Sequence, residues 1–240
     1  LIKDNRYLAH EYLNAHWHPM YHADVVDELQ AARLNFIGSA TLPENINNTS
    51  VPASMVKMIE QATDPVMAET LRDYAANKQF RRDVFIRGAS RLSQFEHAAM
   101  LNGARFSLMT PRAGVSLKFT IPLGEMTGNP AHYDPLLDAL ASGPKSFREL
   151  NALQPNPDAG RSALLNGLTL LVHSGQVHPL YAPEDAKDPT PARRFNKASA
   201  AGVRLNEPQT FFALPIAGTG LKATYDQALI VHALNTGIAA

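Results

Sequence analysis

Cysteine is absent from the 240 residues. Its absence removes disulfides, thiolate metal sites, iron–sulfur ligation and cysteine nucleophiles together, and it fits a reducing, cytoplasmic setting. Net charge is absent as well. Lys and Arg number 22 and Asp and Glu 22, so no long-range field draws the chain to nucleic acid or to an anionic membrane. The balance holds by halves, with 13 basic and 13 acidic residues over 1–128 and 9 of each over 129–240. No apolar run reaches the roughly 18 residues of a membrane span, and the polar start Leu1-Ile2-Lys3-Asp4-Asn5-Arg6 does not read as a signal peptide. Internal repeats and low-complexity tracts are missing. With 45% hydrophobic and 18% charged residues, the composition is that of a globular protein and excludes disorder. At about 150 residues per domain, the length predicts one large or two modest domains. The chain does not begin with Met, which leads us to expect a segment of a longer polypeptide.

What is present is a succession of short periodic segments. Tyr7, Leu8, Tyr12 and Leu13 share one helical face, and Val25, Val26, Leu29 and Ala32 repeat the spacing beyond His18-Pro19. Leu34, Phe36 and Ile37 predict a strand, followed by an Asn-rich loop over Pro43 to Ser50. Helices are predicted over Pro52 to Gln61 and, behind Asp64 as N-cap and Pro65 in the first turn, through Ala76. Phe80 to Ile86 reads as a strand. Phe106 and Leu108, then Val115, Leu117, Phe119 and Ile121, alternate around Pro111-Arg112-Ala113-Gly114 and predict a β-hairpin. Beyond Asn129-Pro130 the rhythm changes to three helices, about His132 to Ala141, Phe147 to Leu153 and Arg161 to Ser174. Ser146-x-x-Glu149 forms a capping box, and Gly143 and Gly175 stand at C-caps. Strands over Gln176 to Tyr181 and Phe211 to Ile216 flank a long Pro-rich loop, and Tyr225 to Leu234 predicts a last helix. The class is α+β. A small mixed helix/strand middle domain spans 1–90, a β-hairpin extension of it spans 91–128, and a winged-helix-like domain spans 129–240.

Few motifs carry chemistry. His10-Glu11-Tyr12-Leu13-Asn14 opens like a zincin helix, but the second imidazole, needed one turn on so that both face one metal, is replaced by Asn14. His16, His18 and His22 lack a carboxylate at chelating spacing, so no metal ligands are assigned. Gly218-Thr219-Gly220-Leu221-Lys222-Ala223 resembles a truncated dinucleotide fingerprint. No second strand or acidic ribose ligand follows it, and a turn between a strand and the last helix is the better reading. Lys78, Arg81, Arg82, Arg87 and Arg91, against Asp83 alone, give +4 across fourteen residues. Guanidinium forks at such a place grip carboxylates or phosphates, and the same pattern also keeps a strand edge solvated. Arg161 to Ser174 holds one fixed charge and six large aliphatics, which suits burial better than groove reading. Arg193, Arg194 and Lys197, in the expected wing, are the basic group left for DNA. No nucleophile elbow, phosphate loop or paired acid–base carboxylates occur, so no catalytic residue is assigned.

The strings Asn5-Arg6-Tyr7-Leu8-Ala9-His10-Glu11-Tyr12-Leu13, His18-Pro19-Met20-Tyr21, Leu34-Asn35-Phe36-Ile37-Gly38-Ser39-Ala40 and Asp73-Tyr74 through Asn77-Lys78-Gln79-Phe80-Arg81-Arg82 resemble the predicted methyltransferase regulatory domain. The match is strongest over residues 5–90. In that family the pattern follows a class I S-adenosylmethionine (SAM) methyltransferase domain and precedes a winged-helix domain. The second half, with its Ala217-Gly218-Thr219-Gly220 turn, is similar to that C-terminal part. The best-described relatives are protein-lysine methyltransferases.

The resemblance implies an accessory region without a cofactor site of its own, since no glycine-rich loop or acidic ribose ligand precedes the pattern. SAM and the catalytic cleft are expected in an upstream domain of the same polypeptide. His10, Glu11, Tyr12 and Asn14 are the expected contacts to that cleft or to a protein substrate, with Arg81 and Arg82 second. Two other readings remain: a stand-alone module binding a protein through an apolar winged-helix surface, and a winged-helix DNA-binding regulator, which the charge balance argues against.

Overall fold

The computed structural model describes residues 8–10, 12–13, 15–16, 18–155, 157–181, 188–203 and 210–237. The chain is α+β, and its contacts divide it into two units. One takes the residues up to Arg91 together with Thr120–Met126, and the other takes Leu92–Phe119 and the residues from Thr127 on.

In the first unit, helix α1 (His22–Ala31) runs into strand β1 (Leu34–Ser39) through Arg33, which adopts the left-handed conformation at φ 59. β1 pairs antiparallel with β2 (Asp83–Arg87), with Phe36 opposite Phe85 and a bulge between Phe36 and Gly38. The expected Asn-rich loop is instead a 3₁₀ turn, Leu42–Asn45, followed by a short helix α2, Asn47–Ser50. Asn45 explains the difference. Its carboxamide accepts from Ser39 N at 2.9 Å and donates to Ser39 O at 2.9 Å, mimicking a backbone partner for the strand end. Helices α3 (Ala53–Gln61) and α4 (Pro65–Ala76) follow as the sequence predicts. Asp64 caps α4 by accepting from Val66 N and Met67 N, and Asn77 closes it in the left-handed conformation. α1 packs on β1 and α4, and Val26, Val51 and Ile59 are buried.

The second unit is built on leucine. Helix α5 (Gln94–Gly103) opens it, capped by Ser93 and Glu96. Sequence periodicity misses this helix, although Ser93-x-x-Glu96 is a capping box. The expected hairpin between 106–108 and 115–121 does not form. Strand β3 (Arg105–Leu108) pairs with β6 (Lys145–Ser146) and with β7 (Val177–Leu180), giving a three-stranded sheet in the order β6-β3-β7. Pro111 to Gly114 turns into a 3₁₀ segment, while β4 (Lys118–Ile121) pairs with β5 (Gly124–Thr127). Alternation marked these residues as strands but carries no information about their partners.

Helices α6 (Pro130–Ala141), α7 (Phe147–Ala152) and α8 (Pro157–His173) close over this sheet. Leu137, Phe147, Leu150, Leu171 and Val177 are fully buried, each such side chain stabilising the fold by about 1.5–3 kcal/mol. Arg112 clamps α6 across the interior Pro135, donating to Asp134 at 2.8 Å and Asp138 at 2.6 Å. The Pro-rich loop contains helix α9 (Thr190–Ala201), so Arg193, Arg194 and Lys197 lie on a helix and not in a wing. β8 (Thr210–Leu214) pairs with β9 (Thr219–Ala223), not with β7. Gly218, at φ 64, caps the 3₁₀ turn Pro215–Ala217 that joins them, and helix α10 (Tyr225–Thr236) follows.

Gly128 sits against this core. A Cβ there would lie 2.6 Å from the Tyr133 ring and 3.1 Å from Phe119, below van der Waals contact. Gly128→Ala is expected to lower unfolding free energy by about 1–3 kcal/mol, read from denaturant midpoints. Gly143→Ala, whose Cβ meets nothing within 4 Å, separates packing from backbone strain, since only that position has a positive φ, of 132.

Candidate functional site

The chemistry of the first unit converges on Arg81. Glu69 and Asp73, one turn apart, share a face of α4, and Arg81 and Asp83, two apart, share the inward side of the approach to β2. Arg81 therefore meets three carboxylates with three nitrogens: Nε donates to Asp83 at 2.7 Å, Nη1 to Asp73 at 2.6 Å and Nη2 to Glu69 at 2.8 Å. Its guanidinium carbon lies 5.6 Å from the Phe36 ring centre. The network extends in both directions. Asp83 accepts from, or stands 3.1 Å beside, Nδ1 of the buried His22, whose ring packs edge-on against Phe36. On the other side Glu69 pairs with Arg72 at 3.1 Å, and Arg72 donates to Asn47. Lys78 pairs with Glu44, which also accepts from Ser39 Oγ at 2.6 Å.

These groups line a pocket of about 120 Å³, with Ser39, Glu44, Glu69, Asp73, Lys78 and Arg81 on its polar wall and Val51, Ala76 and Pro122 on its apolar one. Within the network Glu44, Glu69, Asp73 and Asp83 face Arg72, Lys78 and Arg81, leaving one carboxylate in excess beside His22. Burial raises the Asp73 carboxyl above the usual carboxylate range, against the opposing pull of Arg81 and Lys78. Burial works against the charge of Arg81 too, but its hydrogen bonds to Asp83 and Glu69 and the field of Asp73 outweigh it and hold its pKa above the ordinary arginine value. Ser39 Oγ donates to the Glu44 carboxylate, and among the described residues no imidazole is hydrogen-bonded to it. Among the described residues, no group of three or more potential ligands is arranged to hold a metal ion, and no helix is long and apolar enough to cross a membrane.

The sequence-predicted contacts fall in different settings. His10 lies in a helical turn that includes residues 8–10 and is exposed, as is Tyr12, whose N–H bonds to Leu8 O at 3.1 Å. Glu11 and Asn14 lie outside the described residues. Arg81 turns inward into the network. Arg82 turns outward, its Nη2 3.0 Å from the Thr41 hydroxyl. Glu69 was not singled out from the sequence, and His22 and Asp83 were named there only among the imidazoles weighed for a metal and as the acid within the basic cluster, although the i,i+4 acids of α4 and the i,i+2 pair Arg81/Asp83 carried the signal.

Residues 4–87 match the family described as the predicted methyltransferase regulatory domain. An uncharacterized protein of Synechocystis sp. is 33% identical over 235 residues, which cover 97% of this chain and 46% of that protein. PKMT2 from Rickettsia typhi has a similar fold, at a TM-score of 0.58 and 15% identity over 96% of this chain and 50% of that one. The same protein in complex with AdoHcy gives a TM-score of 0.59 at 15% identity over 97% and 50%. The chain spans about half the length of the relatives it matches.

Arg81→Ala is expected to lower stability by about 3 kcal/mol or more, because it strands three largely buried carboxylates. Arg81→Lys recovers only part of this, since a point charge replaces the fork. Asp73 sets a pH dependence. Its folded pKa is raised, so its proton is bound more tightly in the folded state, and stability from this group falls as pH rises through that raised value. In denaturant titrations, the stability of the wild type relative to Asp73→Asn therefore increases as pH falls through that window.

Proposed function

We propose that this chain is the regulatory and C-terminal region of a SAM-dependent methyltransferase, covering the cleft of a catalytic domain in the same polypeptide and helping to select a protein substrate. The observation that carries the reading is the regulatory-domain match over residues 4–87 in a chain half as long as its relatives. The fold shared with PKMT2, over half of that protein, supports it and favours a protein lysine as the methyl acceptor. The described residues of the first unit form an ion-pair network around Arg81, which suits a rigid accessory body. SAM belongs to the other half of the protein.

The second unit is winged-helix-like in this reading. Its order α6, β6, α7, α8, β7 is helix, strand, helix, helix, strand, and β3 stands in the sheet where a returning strand would lie. α8 buries Leu164, Leu168, Leu170 and Leu171, so the unit serves packing or protein docking and not DNA. The zero net charge and lack of cysteine agree with a cytoplasmic protein.

Exposed His10 and Tyr12 are the residues for the cleft or the substrate, together with Glu11 and Asn14. Calorimetric titration of SAM and AdoHcy is expected to show binding to the complete gene product and none to this chain alone. In the complete enzyme, the His10→Ala, Glu11→Ala variant should raise KM or lower kcat by about tenfold, the loss of one good contact. Unchanged values would remove these residues from the site. Absence of AdoHcy binding by the complete product would favour a stand-alone interaction module.

A further inference from the structure

The outer face of the β1–β2 ribbon has the reverse of the polarity that a solvated strand needs. In an antiparallel ribbon covered on one side, apolar side chains point to the core and polar ones to water. β2 turns Asp83 inward, to His22 and Arg81, and turns its two aliphatics outward, with Val84 37% and Ile86 40% exposed. Across the ribbon Asn35 faces Ile86, and Gly38 faces Val84 beside the bulged Ile37, which is 54% exposed. Arg82 stands at one end of this apolar strip, and exposed Arg33 stands at the other. Among the described residues neither of these two arginines has a carboxylate partner, and no outward position of the ribbon is acidic. Three β-branched aliphatics in water on a two-stranded sheet constitute a site that draws cover.

We propose that this face docks the half of the protein outside this chain, through an apolar segment flanked by carboxylates. The inference rests on the function proposed above, in which that half is the catalytic domain. Relatives about twice as long as this chain supply an equal length of polypeptide for the cover. Charge defines the contacting segment. A second copy of the same face would bring arginine against arginine, which is unfavourable, whereas carboxylates at the two ends meet guanidinium forks able to bind them bidentately. The network behind the ribbon makes it a preformed platform: Arg81 and His22 fix Asp83 from the inner side, so docking needs no reordering of β2.

The absence of cysteine from this chain makes a single introduced thiol a direct probe. Ile37→Cys, at an exposed bulge position, is placed in this chain and in the complete gene product, and maleimide labelling of the peptide holding residue 37 is followed by mass spectrometry. Labelling in the complete protein is expected to be about tenfold slower or more, the protection that about 1.4 kcal/mol of docking free energy gives. Adding Arg33→Glu and Arg82→Glu should restore much of the fast rate, while Arg33→Lys and Arg82→Lys, which keep the charge but lose the fork, should retain more of the protection than the Glu pair does. Circular dichroism of each variant establishes that it is folded. AdoHcy binding separates the two levels of the reading. A complete protein that binds AdoHcy yet labels as fast as this chain overturns the docking and leaves the function standing. One that binds no AdoHcy overturns the function, and the named occupant with it. Concentration-dependent protection in this chain alone identifies a second copy and overturns the proposal, as does protection that the Glu variants do not relieve.

Discussion

Arg81 is the constraint on which the first unit is organised. A guanidinium brought largely out of water needs acceptors in its own plane, and three nitrogens aimed in three directions require carboxylates from more than one element. Glu69 and Asp73 come from α4, and Asp83 comes from β2. The arginine thus fixes the distance between helix and ribbon as well as the register at which β2 starts. Phe36 completes the enclosure from β1, touching both the guanidinium and the His22 ring. Hydrophobic burial in this unit is modest, with Val26, Val51, Ile59 and Ile121 as the buried aliphatics among its described residues. Polar geometry accordingly carries specificity that a larger apolar core would otherwise supply.

The second unit solves the same problem by the opposite means. Leucines from α6, α7 and α8 are the commonest of its buried side chains, while the buried Gln176 bridges Ser116 through both ends of its amide and Arg161 reaches Asn102. Strand β3 ties the unit together. Arriving from before the helices, it sits between β6 and β7 and so closes both a long chain loop and the sheet. Such a non-local pairing is favoured because an edge pair of two strands is weak alone, and a third strand covers both neighbours.

Local signals in the sequence translated into local structure with few exceptions. Asp64-Pro65, Asn129-Pro130 and Ser146-x-x-Glu149 each start a helix where capping chemistry requires one. The partners of strands were not legible. Phe106 and Leu108 alternate as a strand must, but alternation is satisfied equally by pairing with the next strand or with β6 and β7. The returning strand at 211–216 was visible for the same reason, and its partner β9 was hidden in a Gly-rich stretch of low strand propensity. At the site, Arg81 was visible as part of a charge cluster, whereas its neighbours were not, because Glu69, Asp73 and His22 come from two separate helices.

That charge cluster shows how the fold decides what a residue type means. Arg81 and Arg82 are adjacent and chemically identical, and composition assigns them one role. Strand parity sends them to opposite sides. Arg81 meets three acids and is spent within the fold, while Arg82 finds a hydroxyl and keeps its charge facing outward. Of the local excess of +4 read from the sequence, the share carried by Lys78 and Arg81 is cancelled by Glu44, Glu69 and Asp73 from elsewhere in the chain. Of the cluster, Arg82, Arg87 and Arg91 remain outside this network, and Arg82 borders the outward aliphatics of the ribbon. The alternation of β2 thus turns a basic stretch into an acid-bound interior and an apolar exterior that ends in Arg82.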